Sequence, residues 1–152
     1  MNQTFLKNTS LFEDLTDDEL VEIILVGKQC TYKKDAVIFA EGDPGDAMYL
    51  IMDGAVRISK FQSGGEEALA ILKANDFFGE MTLFDFEPRS AHVIAHEKCS
   101  LFEIPNKALL SVFHNNKEIG FKFLWSFCKT LTKRLRSTNE KFNVMMAMAN
   151  FF

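Results

Sequence analysis

The segment FFGEMTL at residues 77–83, followed after three residues by EPRSA at residues 87–91, is the most informative part of the sequence. Gly79 stands before a short apolar run, where it lets the backbone bend so that successive N–H groups point one way and attract an anion. Arg89 offers a guanidinium that matches two phosphate oxygens. Glu80 only accepts hydrogen bonds, which suits a sugar hydroxyl. Together these residues indicate a sugar-phosphate site, and a surface turn with an ordinary salt bridge is the alternative.

Short β-rich runs broken by turns surround this segment. The dense turn cluster EGDPGD occupies residues 41–46, and Asp53-Gly54 is a strong hairpin signal. Many short strands at regular spacing predict a small barrel or jelly roll. The predicted strands are residues 31–32, 36–39, 48–52, 56–61, 68–72, 90–95 and 100–104.

Helical patterns flank the strands on both sides. Thr16 is followed three residues later by Glu19, as a capping box requires. After Pro105 the pattern predicts a short helix over residues 106–114 and a long one over residues 117–148. The sequence has no internal repeat or low-complexity linker, so we expect one domain over 1–152. It divides into a helical start 1–28, a β-roll 29–105 and C-terminal helices 106–150.

The long helix carries an apolar seam whose members alternate by three and four residues. Such an a/d pattern is typical of helices that pair between two chains. It predicts a homodimer through the C-terminal helix, and packing of the seam along the chain's own barrel is the alternative. The seam consists of Phe121, Leu124, Cys128, Leu131, Leu135, Thr138, Phe142, Met145 and Ala149.

Residues 77–91 resemble the phosphate-binding cassette of the cyclic nucleotide-binding domain superfamily, whose pattern is Phe-Gly-Glu-x-x-Leu followed by Arg-Ser/Thr-Ala. The hairpin over residues 41–54 is similar to that family's glycine-bearing strands, and the resemblance extends over residues 11–141. It implies a mainly β fold with flanking helices: an eight-stranded β-roll, or jelly-roll barrel, with a short N-terminal helix and a long C-terminal dimerisation helix. It also implies a sensor module that binds cAMP, with cGMP possible, rather than an enzyme.

The resemblance implies a role for each matching residue. Arg89 and Ser90 would bind the exocyclic phosphate oxygens, and Glu80 would accept from the ribose 2′-hydroxyl. Arg134 would approach the ligand or Glu80. The expected ligand-binding residues are Gly79, Glu80, Met81, Thr82, Arg89, Ser90, Ala91, Arg134, Thr138 and Asn139.

Two further matches come from the same resemblance. Thr138 stands where the catabolite activator branch has the threonine of a Thr-Ser pair that reaches adenine across the dimer. Asn139 replaces the serine; it can still donate and accept, but the choice between adenine and guanine is then less strongly specified. Gly42 and Gly54 correspond to turn glycines, for which we expect a positive φ.

Composition limits the partners. The net charge is −4, without the basic surplus of a nucleic-acid-binding domain, and the sequence lacks the helix-turn-helix module that follows in catabolite activators. We therefore expect no direct DNA binding and an unidentified downstream protein partner. No signal peptide or long apolar run is present, so we expect a cytoplasmic protein that does not enter a membrane. The three cysteines lack metal-type spacing and are expected to be reduced thiols.

Two other functions remain open. A cupin-type metalloenzyme would need a cluster of His and carboxylate ligands in one pocket. His92 and His96 are four residues apart, but alternate residues over 91–95 form the inward set, so we expect both histidines to face outward. The other is a ligand-free scaffold or partner-binding roll. It would not explain why Glu80 and Arg89, two charged residues, are placed in an apolar pocket. We accordingly expect no catalytic residues, no metal and no cofactor.

Overall fold

Eight antiparallel strands and five helices form the fold of residues 2–151, the part of the chain that this computed structural model describes. One sheet has the strand order β1-β8-β3-β6 and the other β2-β7-β4-β5. The predicted mainly β roll with flanking helices is confirmed. The strands are β1 (Lys28–Tyr32), β2 (Val37–Phe39), β3 (Ala47–Asp53), β4 (Ala55–Gln62), β5 (Gly65–Lys73), β6 (Phe77–Phe78), β7 (His92–Ala95) and β8 (Cys99–Pro105). The helices are α1 (Thr4–Lys7), α2 (Asp17–Val26), α3 (Thr82–Asp85), α4 (Asn106–Asn115) and α5 (Lys117–Ala149).

Strand β3 is buried on both faces, because it separates two apolar cores. Tyr49 and Ile51 point into the interior between the two sheets. Met48 and Leu50 point the other way, into a second core formed with the helices. Side chains alternate across a strand, so a strand that is covered on both sides has a continuous apolar sequence, as MYLIM at residues 48–52 has.

The helices pack outside the first sheet. The capping box of α2 is present as predicted: Glu19 N donates to Thr16 Oγ1 at 3.3 Å, and Thr16 N donates to Glu19 Oε2 at 2.8 Å. Lys122 Nζ lies 2.9 Å from the same carboxylate and ties α5 to α2. The start of α5 is thereby fixed against the body of the domain.

The strand β6 was not among the predicted runs. It has two residues only, too few for a pattern of alternation, and it forms because Phe77 and Phe78 pair with Leu50 and Tyr49 of β3. Strand β5 begins at Gly65, earlier than predicted, because its exposed glutamates pair with β4. The bounds of the long helix agree with the prediction to within one residue.

Helix α5 packs on its own domain through a face other than the predicted seam. Ile119, Phe123 and Phe127 are buried in the helix-side core. Seam residues such as Leu131 and Leu135 are exposed, as is every α5 residue from Leu131 to Ala149. The seam therefore does not cover the chain's own roll, and its pairing with a second chain stays a prediction. Within residues 2–151, none of the helices combines the length and hydropathy needed to cross a bilayer.

Candidate ligand-binding site

A cavity of about 390 Å³ opens beside the cassette, residues 77–91. Its volume falls in the range of about 300–1,000 Å³ that small-molecule sites occupy. Every residue of the predicted ligand-binding set lines it except Thr138 and Asn139. The other lining residues are Phe39, Ile58, Leu72, Phe77, Phe78, Asp85, Glu87, Pro88 and Val93.

The backbone of the cassette is bent at Gly79, whose φ is +75°. A Cβ at this position would lie 2.7 Å from Arg89 Nη1 and 3.2 Å from the carbonyl oxygen of Ala47. Glycine is therefore required both for the left-handed backbone and for the close approach of Arg89. The predicted positive φ of Gly42 and Gly54 is confirmed at +87° and +80°.

The backbone of Arg89 is fixed to the turn cluster at residues 41–46. Its N–H donates to the carbonyl oxygen of Asp43 at 2.9 Å, and Gly42 N–H donates to the carbonyl oxygen of Arg89 at 2.8 Å. The two segments that the sequence singled out separately thus meet in one ladder. This pairing fixes where the arginine side chain starts.

The Arg89 side chain is 4% exposed and directed along the cavity wall. Its Nη2 donates to the carbonyl oxygen of Ala47 at 2.6 Å, and its Nη1 donates to that of Gly79 at 3.1 Å. The guanidinium carbon lies 4.0 Å from the ring centre of Phe39, a cation–π geometry. Neutral carbonyls and an aromatic face thus hold the cation in place.

The charge of Arg89 has little compensation from acids. Among residues 2–151 its closest carboxylate partner is that of Asp46, 3.9 Å from Nη2 and on an exposed side chain. Its Nε is buried and has no acceptor in the same part of the chain. Burial lowers the pKa of the Arg89 guanidinium by desolvation, yet an arginine remains charged at neutral pH. The site therefore holds a desolvated cation at the wall of the cavity, with one buried donor that has no acceptor among residues 2–151.

The carboxylate of Glu80 is the second buried charge in the cavity. Arg134 of α5 donates from Nη1 to Glu80 Oε1 at 2.9 Å, and its guanidinium carbon lies 4.8 Å from the ring centre of Phe77. The predicted approach of Arg134 to Glu80 is confirmed. This pair joins the cassette directly to the long helix.

The remaining predicted residues differ in position. Met81 and Ser90 are exposed at the cavity rim, whereas Thr82 and Ala91 are buried in its wall. Thr138 and Asn139 are exposed on α5, one turn beyond Arg134 and outside the cavity lining. A contact of these two residues with a base in the cavity of a second chain stays a prediction.

Sequence reasoning missed Phe39 of β2, Ile58 of β4 and Leu72 of β5, which supply the apolar wall. They come from three separate strands, and only the curvature of the sheet brings them to one cavity. Their apolar character was visible in the sequence, but the face to which each belongs was not. The position of Phe39 beneath Arg89 likewise depends on the pairing of β2 with β7.

The two histidines differ in exposure. His96 is exposed, as expected, but His92 is half-buried with a buried Nδ1, because the ring of Phe61 lies 4.8 Å from its own. Val93 and Ala95 lie in the inner core and His92 does not line the cavity, so His92 faces outward as expected but is covered there by Phe61. In the described range 2–151, no three His, Cys, Asp or Glu side chains are grouped in a way that could hold a metal ion.

Sequence comparisons place this geometry among known proteins. The pattern of the family described as the cyclic nucleotide-binding domain matches residues 29–116, more than half of the chain. The CRP-like cAMP-activated global transcriptional regulator of Mycobacterium tuberculosis is 28% identical over 136 residues, covering 89% of this chain and 59% of that protein. The cyclic AMP receptor protein of Thermus thermophilus is 28% identical over 141 residues, covering 92% of this chain and 63% of that protein. The chain spans about three fifths of the length of these curated relatives.

Solved structures agree in fold. The catabolite activator protein of Thermus thermophilus has a TM-score of 0.77 at 28% identity, with 90% of this chain and 63% of that chain covered. The N-terminal domain of a transcriptional regulator from Streptomyces coelicolor has a TM-score of 0.76 at 28% identity, with 91% and 94% covered.

Proposed function

Because this chain belongs to the cyclic nucleotide-binding domain family, we propose that it is a regulatory module that binds cAMP in preference to cGMP and has no catalytic role. The observation that carries the proposal is the state of Arg89. In the described part of the chain, this buried cation has its nearest carboxylate partner at 3.9 Å, on the exposed Asp46, and one donor nitrogen without an acceptor. It lines a cavity of about 390 Å³. A desolvated charge is costly unless a partner compensates it, and a cyclic phosphodiester supplies such a partner.

The ligand pose follows from the two buried charges. The exocyclic phosphate oxygens accept from Arg89 and from the Ser90 backbone and hydroxyl, while the ribose 2′-hydroxyl donates to Glu80. Arg134 occupies Oε1 of that carboxylate, which leaves Oε2 for the sugar. The apolar residues Ile58 and Leu72 form the opposite wall.

Titration calorimetry with cAMP, cGMP and a cyclic dinucleotide tests the proposal. The names of the Mycobacterium tuberculosis and Thermus thermophilus relatives refer to cAMP, which supports the stated preference. Saturable one-to-one binding of cAMP is the expected result. If none of the three nucleotides binds, the roll is a scaffold that shares the family's shape without its ligand.

The role of Glu80 is tested by removing one hydroxyl from the ligand. Wild-type protein should bind cAMP about ten- to a hundredfold more tightly than 2′-deoxy-cAMP, since a hydrogen bond to a charged group contributes about 1.5–3 kcal/mol. In Glu80→Gln this preference should largely disappear. Calorimetry with both nucleotides measures it.

The matched control is Glu87→Gln, the same substitution at an exposed carboxylate that lines the same cavity. This variant should keep the wild-type preference. An undiminished preference in Glu80→Gln would remove Glu80 from the ribose site.

We further propose that two copies pair through the α5 seam. Support comes from the exposure of its apolar members: Leu135 is 62% and Phe142 is 59% exposed. An apolar surface of this extent is typical of an interaction site, and its spacing fits a helix pair. In such a pair the partner's Thr138 and Asn139 would reach the base, so that ligand binding and helix geometry depend on each other.

A charge in the seam should dissociate the pair. Leu135→Glu should sediment as a monomer in analytical ultracentrifugation at concentrations where the wild-type protein is dimeric, because it places two carboxylates face to face. Ser137→Glu, on an exposed position of α5 off the seam, is the control and should stay dimeric.

The same variant tests the base contact. If the partner's Thr138 reaches the base, monomeric Leu135→Glu should show a changed ratio of cAMP to cGMP affinity. A wild-type ratio in a monomeric variant would exclude Thr138 and Asn139 from the binding site.

A further inference from the structure

Asn106, the first residue of α4, is a buried polar residue at a place where the helix does not need one. It is 6% exposed, although asparagine is mostly found on protein surfaces. Its side chain does not cap α4, which begins after Pro105 without a side-chain cap. Instead Nδ2 donates to the carbonyl oxygen of Gly45 at 3.3 Å and to Thr82 Oγ1 at 3.3 Å. The side chain therefore reaches from α4 towards the cassette.

The hydroxyl of Thr82 has no bonding capacity left. It donates to the carbonyl oxygen of Gly79 at 3.2 Å and accepts from Asn106 Nδ2 at 3.3 Å and from Arg89 Nη1 at 3.4 Å. A hydroxyl has one hydrogen and two lone pairs, so these three partners use all of it. Because Gly79 takes the hydrogen and Asn106 takes one lone pair, the other lone pair is directed at Arg89.

Thr82 is also fixed by packing. A Cβ on Gly45 would overlap the side chain of Thr82, which shows how closely the turn before β3 covers it. The backbone N–H of Asn106 donates to the carbonyl oxygen of Asp46 at 2.8 Å. The turn, the cassette and the first residue of α4 thus meet around one hydroxyl.

On the premise of the proposed function, we infer that Asn106 is a positioning residue for the phosphate site, acting on Arg89 through the hydroxyl of Thr82. It fixes the orientation of the guanidinium at the cavity wall through the bond between Arg89 Nη1 and Thr82 Oγ1. It also ties the phosphate site to the start of the α4–α5 pair. This tie is separate from the Glu80–Arg134 pair, which joins the sugar side of the cavity to the middle of α5.

Two uncharged variants of similar shape test the inference. Asn106→Leu removes the amide, and Thr82→Val removes the hydroxyl. Thr82→Val should weaken cAMP binding about tenfold, because it removes a hydrogen bond to the charged Arg89. Asn106→Leu, which acts on Arg89 only through that hydroxyl, should weaken binding several-fold. In an Arg89→Lys background the same substitutions should reduce the affinity for cAMP much less, because the guanidinium that they orient is absent. Thr82→Ser keeps the hydroxyl and should retain most of the affinity.

A structural role alone would not produce this pattern. The control is Asn116→Leu. Asn116 is half-buried, caps the N-terminus of α5 and donates a hydrogen bond to Glu22, and it does not line the cavity. This substitution should lower the thermal midpoint while leaving the affinity for cAMP unchanged. The NMR signal of the Arg89 Nε–H, recorded without ligand, should shift in Asn106→Leu and Thr82→Val and stay in place in Asn116→Leu.

The outcomes separate the two proposals. If Asn106→Leu and Thr82→Val bind cAMP as the wild type does, while Arg89→Ala does not bind, the positioning role is overturned and the binding function stands. If the wild type binds no nucleotide, the binding function fails. In that case the NMR signal of the Arg89 Nε–H alone tests the positioning role of Asn106. An unchanged chemical shift in both Asn106→Leu and Thr82→Val overturns that role.

Discussion

Arg89→Ala should reduce the affinity for cAMP at least tenfold and leave the fold intact. Removing one partner of a desolvated charge pair costs about 2–5 kcal/mol, and about 1.4 kcal/mol corresponds to a factor of ten. The free protein should tolerate the loss, because the nearest carboxylate partner of the guanidinium within residues 2–151, that of Asp46, is 3.9 Å away and exposed to solvent. Calorimetric titration measures the affinity, and thermal unfolding measures the stability.

Arg57→Ala is the matched control for this experiment. Arg57 is also largely buried and bonds Glu66, Asp35 and the carbonyl oxygen of Ala95, but it does not line the cavity. Its removal should lower the stability without changing the affinity for cAMP. Equal affinities of wild type and Arg89→Ala would exclude the assigned phosphate site.

Gly79→Ala should have a comparable effect on binding for a different reason. An alanine at φ +75° is strained by about 1–2 kcal/mol. Its Cβ would also lie 2.7 Å from Arg89 Nη1, so the guanidinium must leave its place on the cavity wall. We expect both a lower thermal midpoint and a roughly tenfold or greater loss of affinity, since small displacements of a positioned group are costly.

Gly64→Ala provides the comparison. A Cβ at Gly64 would have no neighbour within 4 Å, and its φ lies outside the left-handed region. The stability and affinity of this variant should both stay close to wild type. Tight cAMP binding by Gly79→Ala would mean that the phosphate does not depend on the observed position of Arg89.

The cassette could be predicted from the sequence because its chemistry is local. Gly79, Glu80 and Arg89 lie within eleven residues, so a bent backbone beside a guanidinium was visible as a candidate anion site, and the family resemblance distinguished it from a surface turn with a salt bridge. The capping box of Thr16 and Glu19 was predictable for the same reason. Each of these features depends on residues that are close along the chain.

Other parts of the site depend on tertiary packing and could not be predicted. Phe39 reaches Arg89 only because β2 pairs with β7. Asn106 reaches Thr82 only because the turn before β3 lies against the start of α4. His92 is half-buried because Phe61 of a neighbouring strand covers it. Alternation along one strand gives no information about what covers its outer face.

A small tilt of α5 near Arg134 produces a larger displacement at the C-terminal end of the helix. Its 33 residues are all exposed from Leu131 onward, while Arg134 remains attached to the buried Glu80. At 1.5 Å per residue, the portion beyond Arg134 is about 22 Å long, so a tilt of about 5° there displaces its tip by about 2 Å. A rearrangement too small to alter the roll would thus become a shift large enough for another protein to detect.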